Sequence, residues 1–229
     1  MATVLLSECV PATPRTRLLR LTLTEGTFVF RAGQAVLAGL VGSATRSAYS
    51  IASPPSLAAR GTLELLVPAD GAFGEAGLDP ATVVGRALTI DGPLGTFGVP
   101  PAAENAPLLL VGGGTGIAPL RSMILETIHG ARQGGLALVY SARTPTEFAY
   151  LDELRGFAEG GRLSLTLTLT GDAQDWSHSR GRTGAHHLSD LVTPRTLAFV
   201  CGPPAMVAEI PAALISLGLP RERVRTEDW

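Results

Sequence analysis

Residues 46–50 combine three side chains with different chemical uses. Arg46 carries a guanidinium that can bind phosphate through two parallel hydrogen bonds, Tyr49 offers an aromatic face, and Ser50 offers a short hydroxyl. Ser47 lies between them, and in a regular strand Arg46 and Tyr49 occupy opposite faces. The stretch therefore offers contacts to a phosphate and to a flat ring.

A second group is rich in glycine, with four glycines in the five positions 112–116. The loop follows an apolar strand and precedes a helix, where free backbone N–H groups bind phosphate. Its spacing differs from the usual dinucleotide fingerprint, because Ile117 stands where a third glycine is expected. The pattern predicts a nucleotide site that contains Gly112, Gly113, Gly114, Thr115, Gly116 and Pro119.

Three further groups are weaker when taken alone. Gly92 and Gly95 let backbone amides approach a phosphate or a ring, although a simple turn is the alternative. Glu227 and Trp229 close the sequence, where a large aromatic suggests contact with something flat; a surface Trp at the core edge is the alternative. The third group lies where a strand ends and a helix begins, which is where ligands bind in parallel sheets. It contains Cys201, Gly202, Pro203 and Met206.

The elements that must position these residues change in character near residue 100. Before it, short apolar or alternating runs are separated by Gly and Pro, which predicts an antiparallel barrel or sandwich in residues 1–100. After it, strands and helices alternate, which predicts a doubly wound parallel sheet in residues 106–229. Within it, Thr144 and Glu147 form a capping-box pattern, so we expect a helix from Thr144 to Phe157.

Composition and charge exclude several classes of function. Residues 1–60 carry six arginines against two glutamates, which could attract an acidic partner but is too sparse for nucleic-acid binding. Cys9 and Cys201 give no metal-ligand spacing and no iron–sulfur site. No stretch resembles a signal peptide or a membrane span. We therefore expect a cytoplasmic protein with no metal and no membrane association.

Taken in order, the Tyr-Ser-Ile-Ala-Ser run, the glycine loop and the Cys-Gly-Pro-Pro turn resemble the ferredoxin–NADP⁺ reductase superfamily over nearly the whole chain. The resemblance implies an N-terminal antiparallel β-barrel that binds FAD and a C-terminal α/β domain that binds NAD(P). It also implies a reductase that transfers electrons between NAD(P)H and a one-electron protein carrier.

The same resemblance assigns the residues of the flavin side. Tyr49 would lie against the isoalloxazine ring, and Ser50 would approach flavin N5. Arg46 would bind the FAD pyrophosphate, and Ser47 stands at the position of the family's arginine. The second FAD-phosphate turn, which lacks the family's hydroxyl, would be formed by Gly71 and Gly74.

On the nicotinamide side, the resemblance makes residues 112–115 the phosphate cradle and places Cys201 beside the nicotinamide ring. Glu227 would join Ser50 and Cys201 at the reaction centre, and Trp229 would cover the flavin until the nicotinamide displaces it.

Coenzyme choice depends on the residues after the second nucleotide-domain strand, Ser141-Ala142-Arg143. An acidic residue there favours the ribose hydroxyls of NAD, whereas Arg143 favours the 2′-phosphate of NADP, with possible help from Arg180 and Arg182. We expect NADP, with NAD as the alternative, because NADH-using relatives also carry Ala-Arg-Thr here.

The expected electron carrier is a separate acidic protein such as ferredoxin or flavodoxin. Three alternatives remain open at this point. They are the reductase component of a multicomponent oxygenase, a flavin-binding electron-transfer subunit of a larger complex, and a non-redox binding module.

Overall fold

The computed structural model describes residues 1–70, 80–103, 105–130, 134–171, 173 and 175–228. Gly71, Gly74 and Trp229, which the sequence proposes as site residues, lie outside the described residues. The described chain contains two six-stranded sheets, one within residues 2–94 and the other within residues 108–228.

The first sheet is antiparallel and closes on itself. Its order is β4-β3-β6-β1-β2-β5, and a bridge between Ile51 and Leu65 joins its two edges, so the fold is a barrel rather than an open sandwich. Successive side chains of a strand point alternately into the barrel core and toward its surface. In β2, for example, Leu19 and Leu21 are fully buried while Arg20 is exposed. The strands are β1 Ala2–Thr13, β2 Thr16–Leu23, β3 Ala35–Leu40, β4 Ser47–Ser50, β5 Thr62–Pro68 and β6 Ala87–Leu94; the short helices are α1 Pro55–Ala58 and α2 Pro80–Val83.

The second sheet is parallel and confirms the doubly wound prediction. Its strands are β7 Leu108–Gly113, β8 Leu136–Ala142, β9 Ser164–Leu169, β10 Ser179–Arg180, β11 Leu197–Gly202 and β12 Val224–Asp228. The main helices are α3 Ile117–His129, α4 Leu151–Glu159, α5 Ala185–Leu188 and α6 Pro204–Ser216. The order β10-β9-β8-β7-β11-β12 reverses direction between β7 and β11, which is where ligands bind in such sheets.

Both faces of the parallel sheet are covered. In β7, Leu108 and Leu110 pack into one hydrophobic core, whereas Leu109 and Val111 pack into a second core on the opposite face. This arrangement explains why the strand is a continuous apolar run. Among the described residues, no helix is long and apolar enough to cross a bilayer.

One helix prediction is wrong in its start. The helix expected from Thr144 begins at Leu151 instead, after a single 3₁₀ turn, and the Thr144 side chain pairs with Thr146 rather than capping a helix. The chain must turn first, because Phe148 is buried and Tyr150 adopts a left-handed backbone with φ 60°. Burial of an aromatic ring therefore overrides the capping-box pattern.

Candidate active site

A cleft of about 370 Å³ opens at the carboxyl ends of β7, β8, β9 and β11. This is the edge at which the strand order reverses. The barrel contributes one wall through the β1–β2 turn and the end of β5. The structure brings together at this cleft the predicted residues Gly113, Gly114, Thr115, Ser141, Arg143, Arg182, Pro203 and Met206.

The glycine loop presents open backbone to the cleft. Gly114 has φ +58°, and a Cβ added there would meet no atom within 4 Å. At Gly113 an added Cβ would lie 3.0 Å from both Met206 Cε and Pro203 Cδ, so side chains from the β11–α6 turn already line this glycine. The loop thus leaves room for a ligand at Gly114, where backbone amides are accessible.

The other loop residues serve packing rather than lining the cleft. An added Cβ at Gly116 would lie 2.3 Å from the Cys201 carbonyl oxygen, and one at Gly112 would lie 3.0 Å from Leu120 Cδ1. Pro119 is buried in the first turn of α3. These positions let α3 approach the sheet closely, which places its N-terminus at the cleft.

Tyr140 holds the loop from beneath, a role that sequence reasoning missed. Its hydroxyl donates to the Gly114 carbonyl at 3.4 Å and accepts from the Ala149 backbone amide at 3.2 Å. Burial raises the pKa of Tyr140 above its usual value, so the hydroxyl stays neutral. The only early signal was an aromatic residue in an otherwise aliphatic strand.

The cleft contains three arginines in different environments. Arg15, from the β1–β2 turn, lies 3.9 Å from Glu147, and Arg182 lies 3.2 Å from Glu209. Arg143 is exposed at the cleft and has no carboxylate partner among the described residues. Arg180 does not line the cleft, because its guanidinium donates to the carbonyl groups of the preceding loop.

Thr183 supplies a further test of whether the cleft fits a polar ligand. The residue is 8% exposed and lines the cleft, and its buried hydroxyl has no hydrogen-bond partner among the described residues. A buried hydroxyl without a partner costs free energy in the empty site. Together with the cationic rim and the open glycine loop, it fits a ligand rich in hydroxyl and phosphate groups.

A row of residues in register crosses the carboxyl edge beside the cleft. Gly112 on β7 pairs with Cys201 on β11, which pairs with Glu227 on β12. Cys201 is fully buried, and Glu227 Oε1 lies 3.6 Å from the position of a Cβ on Gly95 in the barrel. The predicted residues Cys201, Glu227 and Gly95 therefore meet where the two sheets approach each other.

The barrel strand β4 places its predicted residues on different sides. Tyr49 pairs with Val36 and packs into the barrel core with 7% of its surface exposed, while Ser50 pairs with Ala35 and is 6% exposed. Ser47, two positions before Tyr49, is half-buried.

Arg46 precedes the strand and is exposed, with its guanidinium 3.9 Å from the Met1 sulfur. On the neighbouring turn, Gly92 and Gly95 have φ +152° and +85°, which favours glycine at Gly95 above all.

Comparison with known proteins places the chain in one family. A family model described as the oxidoreductase NAD-binding domain matches residues 110–211. Ferredoxin–NADP reductase B of Sorangium cellulosum is 34% identical over 234 residues, covering 96% of this chain and 93% of that protein. Oxidoreductase NAD-binding domain-containing protein 1 of Danio rerio is 33% identical over 237 residues, covering 92% and 85%.

Two further proteins are similar to most of this chain. The electron transfer component of the xylene/toluene monooxygenase of Pseudomonas putida is 30% identical over 186 residues, covering 80% of this chain and 52% of that protein. The crystal structure of a ferredoxin NADP⁺ reductase from Neisseria gonorrhoeae, solved with FAD and NADP, has a TM-score of 0.80 at 21% identity, covering 99% and 97%.

Two of these relatives match more than nine-tenths of the chain at 33% and 34% identity, and the fold is similar to that of the Neisseria gonorrhoeae reductase over nearly the whole chain. The chain therefore belongs to the ferredoxin–NADP⁺ reductase superfamily of FAD-dependent NAD(P)H oxidoreductases.

Proposed function

We propose that this protein passes electrons from NADPH, through FAD, to a separate one-electron carrier such as ferredoxin or flavodoxin. The observation that carries the proposal is that Cys201 and Glu227, in a row beside the cleft, approach Gly95 of the barrel. FAD, when bound, supplies the conversion between a two-electron hydride and single-electron transfer. The protein supplies two adjacent sites and the groups between them.

We assign residues 1–100 to the flavin domain and residues 106–229 to the nucleotide domain. On the flavin side, Tyr49 and Ser50 would contact the ring, and Arg46 would bind pyrophosphate with the turns that contain Gly71, Gly74, Gly92 and Gly95. On the nucleotide side, residues 113–115 would bind phosphates through backbone amides. Trp229 would occupy the nicotinamide position until the coenzyme arrives.

NADPH is favoured over NADH by the charges of the cleft. Arg143 has no carboxylate partner among the described residues, whereas Arg15 and Arg182 each face one. A free guanidinium can bind the 2′-phosphate without first losing an ion pair. Binding of NADH would gain nothing from this group.

An acidic carrier is supported by the surface charge of the barrel. Arg31 and Arg60, which have no role in binding FAD or the coenzyme, are exposed and have no ion pair among the described residues. Opposite charges on two proteins accelerate their encounter, and the acceleration falls as salt increases. We place the reaction in the cytoplasm.

A second candidate is the reductase component of an oxygenase, because the xylene/toluene monooxygenase component is 30% identical to this chain. Cys9 and Cys201 are both buried and lie in different sheets, so residues 1–229 contain no set of cysteines that could bind an iron–sulfur cluster.

Anaerobic titration of the purified yellow protein with NADPH and with NADH tests the donor. Bleaching of the flavin absorbance at lower NADPH than NADH concentration is expected. Reduction of a [2Fe–2S] ferredoxin and of a flavodoxin is then followed at increasing salt. Carrier reduction that is absent, or is unaffected by salt, would reject an acidic carrier protein.

A further inference from the structure

Arg121 is a buried charge that the reaction does not itself require. The residue lies on α3 and exposes 8% of its surface. Its Nε and Nη2 donate to the two carboxylate oxygens of Glu153 at 2.6 and 2.9 Å, and Nη1 donates to Glu64 Oε2 at 2.9 Å. The guanidinium also stacks over the Tyr150 ring at 4.3 Å. Every nitrogen of this side chain therefore has an acceptor.

These contacts join the two halves of the molecule. Glu153 lies in the nucleotide half with Arg121, whereas Glu64 lies on β5 of the barrel. Nη1 of Arg121 also donates to the carbonyl oxygen of Ala52 at 2.9 Å, two residues after Ser50. The next residue, Ser122, donates from its hydroxyl to the Ser53 carbonyl oxygen at 2.7 Å.

Arg121 and Ser122 bind the barrel at its seam, which is the place where the two edge strands of the barrel meet. Ile51 bridges Leu65, the amide of Ala52 donates to the Glu64 carbonyl at 2.8 Å, and the Ser53 hydroxyl accepts from the Glu64 amide at 3.1 Å. Two consecutive residues of α3 are thus bonded to the chain that continues the strand of Tyr49 and Ser50. The same helix begins directly after the glycine loop.

The charges form an alternating chain through the interface. Glu64 is 5% exposed and lies between Arg121 and Arg20, with Arg20 Nη2 3.0 Å from Glu64 Oε1, and Arg20 also pairs with Glu8. Buried charges are stable only when partners of the opposite sign stay in place. Any sliding of α3 along the barrel would separate Arg121 from Glu64, so the network specifies one relative position.

We propose that Arg121 is a positioning residue, which fixes the distance between the glycine loop of the nicotinamide site and the strand of the flavin site. Hydride transfer requires the reacting atoms to be about 3–3.5 Å apart, and displacement by about 1 Å costs roughly a hundredfold in rate. The role concerns the reaction between coenzyme and flavin alone, so it does not depend on which carrier the protein reduces.

The test compares two variants in which a carboxylate that pairs with the Arg121 guanidinium is replaced by an amide of the same shape. Glu64→Gln weakens the contact across the interface together with the pair to Arg20 in the barrel, whereas Glu153→Gln weakens a contact within the nucleotide half. In stopped flow at saturating NADPH, Glu64→Gln should slow flavin reduction about tenfold or more. Glu153→Gln should stay within about twofold of wild type, although it lowers Tm by as much or more. Ser122→Ala, which leaves every charge in place, should slow reduction to an intermediate extent.

Calorimetry of the flavin-free protein supplies a readout that involves no catalysis. Glu64→Gln weakens one ion pair between the halves and leaves the bonds of Arg121 to Ala52 and of Ser122 to Ser53 in place. It should therefore lower the cooperativity of unfolding, measured as the ratio of van't Hoff to calorimetric enthalpy, more than Glu153→Gln does. The role is rejected if flavin reduction follows the loss of Tm in all three variants, if none of them slows it, or if Glu64→Gln and Glu153→Gln unfold with the same cooperativity.

Discussion

At the scale of residues, the most informative contrast is among the arginines that line the cleft. Arg15 and Arg182 each face a carboxylate, and Arg143 faces none among the described residues. Three cations of the same type therefore differ in how readily they can accept a phosphate. The 2′-phosphate of NADPH should go to the one that has no ion pair to break.

The first prediction concerns this choice. Arg143→Ala should lower kcat/KM for NADPH by about tenfold to a hundredfold, because a hydrogen bond to a charged group contributes about 1.5–3 kcal/mol. NADH, which lacks the phosphate, should change by less than about twofold. Arg180→Ala is the control, since that guanidinium bonds to loop carbonyl groups outside the cleft. Equal losses with both coenzymes would assign Arg143 a general positioning role.

A second prediction concerns the hydroxyl and the thiol at the proposed reaction centre. Ser50→Ala should slow flavin reduction while FAD remains bound, because a contact made mainly in the transition state affects kcat rather than binding. Cys201→Ser should act in the same direction but more weakly. Single-turnover reduction at the wild-type rate in both variants would remove these residues from the site.

At the scale of elements, glycines decide how closely α3 approaches the sheet. The backbone of Gly116 packs against Cys201 so tightly that no side chain fits, whereas Gly114 leaves open space for a ligand. Two glycines of the same loop therefore differ in role: Gly116 allows close packing, and Gly114 is expected to contact the coenzyme.

The third prediction separates packing from binding. Gly116→Ala places a Cβ 2.3 Å from the Cys201 carbonyl oxygen, so α3 must shift, and stability should fall by about 1–3 kcal/mol. Gly156→Ala in α4 meets no atom within 4 Å and should raise stability by about 0.4–1 kcal/mol. Urea denaturation measures both. A fully stable Gly116→Ala variant would show that the strand and helix are less tightly packed than the structure indicates.

At the scale of the whole molecule, the two sheets meet along α3 and strand β12, and one apolar core contains residues of both halves, such as Phe97 and Phe199. Strand β12 is decisive, because its pairing with β11 carries Glu227 to the barrel turn at Gly95. We propose that Trp229 covers the flavin, where its ring would compete with the nicotinamide.

The fourth prediction tests that placement. If Trp229 stacks on the flavin, Trp229→Ala removes a competitor of the nicotinamide, and NADP⁺ should bind about threefold to tenfold more tightly, since such stacking contributes about 0.5–1.5 kcal/mol. Turnover should become slower, because oxidised coenzyme leaves more slowly. Difference absorbance of the flavin during NADP⁺ titration measures the affinity.

The matched control for this prediction is Trp176→Ala. Trp176 stacks on Phe148 with ring centroids 5.6 Å apart and donates to the Ser179 carbonyl oxygen, so its loss should lower stability without tightening NADP⁺ binding. An unchanged affinity in Trp229→Ala would reject the stacking role.

The sequence by itself determined the two-part architecture and eight of the twenty-one described residues that line the cleft. Alternation and apolar runs are local properties that burial imposes on each strand, so they distinguish the antiparallel half from the parallel half. The glycine loop was equally readable, because backbone access to a phosphate requires glycine at consecutive positions of the chain.

Only the tertiary structure decided which distant residues share the site. Arg15 and Thr183 line the cleft, and Tyr140 supports its glycine loop from beneath. The three residues come from different segments, and no local pattern distinguishes them from surface or core residues. The same holds for Arg121, whose partners Glu64 and Glu153 are far from it in sequence but bonded to it in space. A pair of charges at long sequence separation becomes meaningful only when packing removes water between them, because in water their attraction is weak.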